Sequence, residues 1–440
     1  VLQRQPPPLR DFLRQTAILD RLSAPLCNAV AEREDSQAVL EQLEAANLFV
    51  IPLDHRREWY RYYQLFAGFL RAMLSREEQA GLHRRATRWY EAQGLLSQAI
   101  HHALTYGEIS GEMAEAERLI GTAVDATLHA GGLQTISAWL AALPDARVRA
   151  NPDLSIHKAS VLILAGDLAL AEAYTAAAET AFTQMLVPPE RQAVTQATFL
   201  LLRGLIALGH RDYRRAVELA TAALPGLEAA HPNWRIQALW TIAEAHERTG
   251  RITEAIKAFR EAQRVGRAVG NPLFTIMVES SLASSLNDHG ERQEALAACE
   301  EALTHYVDER GYLLPLVGVL FSRMGMLYYE ANQLSLSREY HDKGLALTQR
   351  LASDYAYHLQ TLAVPTLYAQ GEIRTALEAL EKARRITPQE GLAEWDWFLA
   401  YEANFHLKQG DLRFALQWAE TAGLSSVEAE IGRASCRERV

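Results

Sequence analysis

At 440 residues, 49% hydrophobic, 8% aromatic and 22% charged, the chain is too long for one ordinary compact core and too apolar for a disordered one. Fifty-four acidic against 44 basic side chains leave a formal charge of −10, which excludes a nucleic-acid-binding surface over the whole chain, because phosphate contacts need clustered Lys and Arg. Cys27, Cys299 and Cys436 stand far apart, with no CxxC and no zinc spacing to histidine. They fit a reduced, cytoplasmic compartment, with Cys27 and Cys299 packed as small apolar residues.

The chain opens at Val1 rather than Met and is read as a fragment. No charged-then-apolar leader begins it, and no apolar run approaches the roughly 18–20 residues that cross a bilayer, so no membrane partner is expected. Helices are predicted at 9–15, 22–32 and 36–46. "NLFVIPLDHRREWYRYY" (47–63) then reads as two short β-rich runs around a polar turn at Asp54–Glu58, and a helix resumes with "QLFAGFLRAML". Helices followed by a small hairpin describe a winged helix, placed at 1–75. Residues 76–150 read as a helical linker with degenerate first repeats: Gly94/Ala99 in "QGLLSQAIHHAL" and two more helices over 112–143.

From 151 to 427 the same phrase recurs. "TGRITEAIKAF" (249–259) returns as "HGERQEALAAC" (289–299), "QGEIRTALEAL" (370–380) and "QGDLRFALQWA" (409–419). A Gly or a substitute is followed five residues later by a small residue and seven further on by another. The frames are Gly166/Ala171/Ala178, Arg211/Ala216/Ala223, Gly250/Ala255/Ala262, Gly290/Ala295/Ala302, Asn332/Ser337/Gly344, Gly371/Ala376/Ala383 and Gly410/Ala415/Ala422. The middle residues recur at intervals of 45, 39, 40, 42, 39 and 39, which is the signature of a solenoid. Gly ends one helix in a left-handed cap, and small residues two turns apart let a second helix approach closely. Seven residues before each cap stands Ala159, Gly204, Ala243, Ala283, Gly325, Val364 or Ala403. Each unit is a helical hairpin whose apolar stripe is buried only by stacking. The pattern resembles the tetratricopeptide repeat, so the fold class is mainly α: a right-handed tetratricopeptide-like α-solenoid superhelix preceded by a small winged-helix domain. The closing "EIGRASCRERV" breaks the period, and 428–440 is set apart as a non-native tail resembling a translated adapter.

"LRDFLRQTAILDRLSAPLCNAV", "LEQLEAANLFVIPLD", "REWYRYYQLFAGFLRAML" and "LHRRATRWYEAQGLLSQAIHHAL" resemble the MalT-like branch of LuxR-type transcriptional regulators, signal-transducing NTPases of numerous domains. The resemblance implies an order of nucleotide-binding domain, winged helix, helical-repeat sensor and DNA-binding helix-turn-helix, of which this chain holds the middle. No GxxxxGK[ST] occurs, so no cofactor is expected here; ATP would belong to a missing upstream domain. DNA would be read only through a missing C-terminal domain. The partners implied are the chain's own NTPase domain, an inducer or regulatory protein, and further copies of the chain on activation. The family carries two histidines just before the winged helix's "LF"; Tyr63 and Gln64 stand there.

No nucleophile elbow or HExxH is present, so no catalytic or metal residue is assigned. His101 and His102 point about 100° apart on a helix and do not share a metal. Arg56 and Arg57 at the wing tip read as a solvated turn or a contact with the missing NTPase domain, ahead of the competing reading of a phosphate-backbone contact, and Trp59, Tyr60, Tyr62 and Tyr63 as strand and core residues. The sharper candidate is the solenoid's inner groove, lined by first helices of each pair. Positions i, i+3, i+7 and i+10 on those helices select Gln237, Trp240, Glu244 and Glu247; Ser280, Ser284 and Asn287; Ser322, Met326 and Tyr329; His358, Thr361 and Tyr368; and Trp397 and Asn404. Thr198, Leu201, Leu205 and Leu208 hold the same positions earlier and read as core. Pro365 falls inside a predicted helix, where a kink or break is expected. Aromatic planes with hydroxyls, amides and carboxylates suit a small polar inducer such as a sugar; the competing reading is a scaffold groove for a peptide or partner protein.

Overall fold

A computed structural model describes residues 2, 5–129, 132–227, 232–307, 310–348, 362–386, 402–408 and 410–421. The chain divides into two compact units, Val1–Thr127 with Thr135–Val148, and Leu128–Gln134 with Arg149–Val440.

The first unit begins with α1 (Pro7–Thr16), α2 (Ala24–Ala31) and α3 (Ser36–Ala45). Ser23 caps α2, accepting the Leu26 amide, and a proline occupies its first turn. Antiparallel strands β1 (Val50–Pro52) and β2 (Tyr60–Tyr62) pair with Val50 opposite Tyr62 and Pro52 opposite Tyr60. Leu22 and Tyr60 exchange both backbone bonds at 2.8 Å, adding a one-residue third strand. The Asp54 carboxylate closes the turn by accepting the amides of Glu58 (3.2 Å) and Trp59 (2.8 Å). Helices α4 (Gln64–Ala72), α5 (Arg76–Ala92) and α6 (Leu96–Ser110) follow. A reciprocal capping box between Ser75 and Glu78 starts α5. Phe12, Leu22, Leu26, Leu40, Leu43, Tyr60 and Leu70 are fully buried and form the winged-helix core. Inside it, the Thr16 and Tyr62 hydroxyls share a 2.6 Å hydrogen bond.

The two helices expected over 112–143 are α7 (Ala114–His129) and α8 (Leu133–Ala142), followed by α9 (Asp145–Ala150). The array then runs in pairs: α10 (Pro152–Leu164) with α11 (Leu168–Thr183), α12 (Pro189–Gly209) with α13 (Tyr213–Leu227), α14 (Pro232–Arg248) with α15 (Ile252–Val269), α16 (Pro272–Asp288) with α17 (Arg292–His305), and α18 (Gly318–Glu330) with α19 (Leu334–Thr348). Val364–Ala369 pairs with Ile373–Ile386, and residues 402–408 precede Leu412–Thr421.

All eight predicted cap positions, from Gly94 to Gly410, have left-handed φ, including Arg211 (64°) and Asn332 (57°). At each, the following residue returns its amide to the carbonyl five residues back, for example Arg251 to His246 and Glu291 to Leu286. Glycine adopts this conformation without a Cβ penalty, whereas arginine does not. Arg211→Gly is therefore expected to stabilise the chain by up to about 1 kcal/mol, read as a higher urea midpoint.

The small frame residues sit where the helices meet. Ala171, Ala178, Ala216, Ala223, Ala255, Ala262, Ala295, Ala302, Ser337 and Ala376 are fully buried, whereas Ala415 is half-buried. Between α18 and α19, a Cβ on Gly344 would lie 2.5 Å from Ser322 Oγ and 2.7 Å from the Gly318 carbonyl, so only glycine fits. Pro365 lies in the first turn of Val364–Ala369, with Ala363 a turn residue, so the helix starts at the proline instead of continuing through it. The tail 428–440 lies outside the described residues.

One sequence expectation is corrected. By length and composition α12 is apolar enough to cross a membrane, but 61% of its apolar stretch is buried inside the array, which accounts for it as a core helix. Successive first helices (α10, α12, α14, α16, α18) touch one another, whereas successive second helices do not approach as closely. The first helices thus form the inner row.

Candidate functional site

On the inner row, chemistry changes along the array. In α12, Thr198, Leu201, Leu205 and Leu208 are all buried, as the sequence predicts for core. From α14 onward the row is polar, and its side chains bond across repeats. Glu244 takes two bonds from Arg248, the shorter at 2.9 Å, and Glu247 accepts the Ser285 hydroxyl of the next first helix at 2.7 Å. On α16, Ser280 and Ser284 accept from Arg323 of α18 at 3.2 and 3.3 Å, and the Asn287 amide donates to Glu330. Arg292 donates in turn to Asn287 at 3.0 Å.

Gln237, Trp240, Glu247, Ser284, Asn287, Tyr329, Tyr368 and Asn404 are half-buried, while Glu244 and Ser280 are buried yet bonded within the row. Trp240 packs against three apolar clusters with its Nε1 buried and unpartnered among the described residues. Its ring wedges consecutive repeats together. Tyr368 meets the Phe405 ring edge-on at 4.9 Å, with Lys408 Nζ 5.4 Å from its own centroid.

Two predicted groove residues are corrected. Ser322 is fully buried against Gly344, and Met326 belongs to the core cluster around Ile276 and Leu320, so neither offers surface to a groove. On α18 the residues reaching toward α16 are Arg323 and Glu330, each one position on from the predicted Ser322 and Tyr329. Counting from the cap assigned every first helix the same rotation. The approach of α18 to α19 over Gly318, Gly325 and Gly344 instead turns Ser322 into the helix pair. A charged residue beside a predicted small one was the available signal for Arg323. His358, Thr361 and Trp397 lie outside the described residues.

The winged helix carries a separate cleft of about 570 Å³ lined by Leu19, Asp20, Ile51, Arg61, Tyr62, Tyr63, Gln64, Ala67, Gly68 and Arg71. Tyr63 is exposed, not a core residue as expected, whereas Tyr60 and Tyr62 are buried. Arg71 donates to the Ala17 carbonyl at 2.8 Å and lies 3.7 Å from Asp20. Beside the cleft, Leu65, Phe69 and Met73 stand exposed at four-residue spacing along one side of α4. At the wing tip Arg57 pairs with Glu44 of α3 at 3.1 Å.

His102 is buried and shares a 2.8 Å Nδ1–Nδ1 hydrogen bond with His83, its ring stacked on Tyr90. Sequence reasoning paired His102 with His101; the actual partner lies on the preceding helix. Burial, reinforced by neighbouring positive charge, lowers His83 to about 4 and His102 to about 3, so both are neutral at pH 7. Among the described residues, no three His, Cys, Asp or Glu side chains converge as a metal site.

Residues 1–82 match the MalT winged helix domain, and residues 197–439 match the MalT-like TPR region. The chain is 22% identical over 387 residues to the HTH-type transcriptional regulator MalT of Vibrio cholerae serotype O1, covering 86% of this chain and 42% of that protein. The corresponding regulator of Yersinia pestis is 24% identical over 373 residues, covering 83% and 40%. The chain thus spans about two-fifths of the length of these curated relatives. Among solved structures it is similar to a signal transduction ATPase with numerous domains from Pyrococcus horikoshii, which has a tetratricopeptide repeat sensor. That likeness has 14% identity and a TM-score of 0.45, covering 94% of this chain and 66% of the other. With a MalT-type winged helix in front and the MalT-like TPR region extending over more than half its length, the chain belongs to the MalT family of regulators.

Proposed function

We propose that this chain is the coupling and effector-sensing region of an ATP-dependent transcriptional regulator, and that the polar inner row from α14 to α18 receives a small inducer. The observation that carries this reading is the change along that row. The first helix α12 presents a buried apolar face, whereas Glu247, Ser284, Asn287, Arg323 and Glu330 present polar groups that bond from repeat to repeat. A ligand entering there exchanges bonds with several repeats at once. If it binds one arrangement of the array better than another, it shifts the balance between them; equal affinity shifts nothing.

In this reading the winged helix passes the change to the chain's own nucleotide-binding domain. The exposed apolar side of α4 and the adjoining cleft with Tyr63, Gln64, Arg61 and Arg71 support a docking role. ATP binding, self-association and DNA binding belong to the parent protein.

Thermal unfolding of the full chain with sugars, nucleotides, small organic acids and short peptides tests the reading. One chemical class should raise the melting temperature saturably, since ligand at a hundredfold excess over Kd adds about 2.7 kcal/mol. Hydrogen exchange should slow in α14, α16 and α18. Protection confined to the winged helix, or no shift by any class, overturns it; a shift by peptides alone makes the groove a peptide-binding scaffold.

A further inference from the structure

We propose that Arg323, together with Ser280 and Ser284, is an oxyanion-binding point on the inner row, specific for a carboxylate; this rests on the sensor reading above and names the ligand's chemistry. Arg235, Arg248 and Arg267 of the same array each meet a carboxylate, Glu261, Glu244 and Glu279. Arg323 is equally half-buried, yet its bonds go to two neutral hydroxyls, at 3.2 Å through Nε and 3.3 Å through Nη1. Both distances lie at the long end for such donors. Nη2 makes no bond to the described residues.

A guanidinium drawn partly out of water without a counter-anion is an unbalanced charge, and the family of groups it matches is planar and bidentate. Ser280 and Ser284 accept from Arg323, so each hydroxyl proton is free to turn toward a third group. The ensemble offers one positive charge, a guanidinium nitrogen without a partner and two hydroxyl donors. A single-charged carboxylate balances this. A phosphate dianion would not, because the same row already carries the carboxylates Glu247 and Glu330, bonded to Ser285 and Asn287. Arg323 also acts inward: it is the group that pulls the buried Cys299 thiol down, against the burial that raises that thiol to about 12.

Propionate, inorganic phosphate, and free tetra-alanine beside its C-terminal amide are the probes, titrated into the full chain by calorimetry. Propionate or the free-acid peptide is expected to bind, and which of the two binds separates a small acid from a peptide terminus as the source. The amide should not bind, and phosphate should bind more weakly. Arg323→Gln should lose affinity at least about tenfold, Arg323→Lys should lose less, and the double variant Ser280→Ala with Ser284→Ala should fall between. Unchanged melting temperatures confirm that the variants fold. Retained affinity in Arg323→Gln, tighter binding of phosphate than of propionate, or no carboxylate binding to the wild type overturns the assignment. A neutral ligand that protects the inner row equally in wild type and Arg323→Gln sinks this point alone and leaves the sensor reading standing.

Discussion

Phe259→Ala should cost about 3–5 kcal/mol of unfolding free energy, the largest single loss we expect in the array. Phe259 of α15 is fully buried at the centre of a cluster drawing Ile236, Leu239 and Ala243 from α14, Val278 and Leu282 from α16, Cys299 from α17 and Leu327 from α18. The interior is close-packed and the small residues of the seam already hold the helices in contact, so the truncation is expected to leave a cavity. Repeats touch only their neighbours, so the loss falls on the interfaces Phe259 joins. Urea denaturation followed by far-ultraviolet circular dichroism measures it. A loss under about 1 kcal/mol would mean that the centre of this cluster is misassigned.

The second large effect concerns pH. His341 of α19 is fully buried, and neither ring nitrogen has a hydrogen-bond partner among the described residues. It fits because position 325 is glycine; a Cβ there would lie 2.8 Å from the ring. Burial, with the Arg338 charge adding to it, lowers His341 to about 3. In the unfolded chain the ring titrates near 6.5. Above that pH neither state is protonated and stability is full. As pH falls from 6.5 toward 3 only the unfolded state takes up the proton, so stability declines, by an amount on the order of 4 kcal/mol, and levels off below. His83 and His102 act with the same sign in the first unit. His341→Leu should flatten the array's acid dependence and raise its stability at neutral pH, since two unpaired nitrogens leave the core. Urea midpoints between pH 7.5 and pH 4 test this, and an unchanged acid slope would sink it.

Much of the fold was written locally. Left-handed caps make a chemical demand on one residue, so their period survived even where Arg211 and Asn332 replaced glycine. The winged helix was equally readable, because Asp54 and the alternation around Tyr60 and Tyr62 act over a few residues. The candidate site was less so. Ser280, Ser284 and Asn287 were found on the inner row because α16 keeps the rotation that the cap implies. Ser322 and Met326 were misplaced because three glycines on the α18–α19 seam let those helices close differently, a tertiary fact that no spacing within one helix records. The His83–His102 bond likewise depends on two helices meeting, 19 residues apart in sequence.

The uniform closure at the eight caps has an evolutionary consequence. Each hairpin turns by its own few atoms, without instruction from the rest of the protein, so a cassette of 39 to 45 residues is a natural unit of duplication or deletion. Gain or loss of one cassette would lengthen or shorten the inner row while leaving every remaining joint intact. The array can thereby change length by copying text, without redesigning a core.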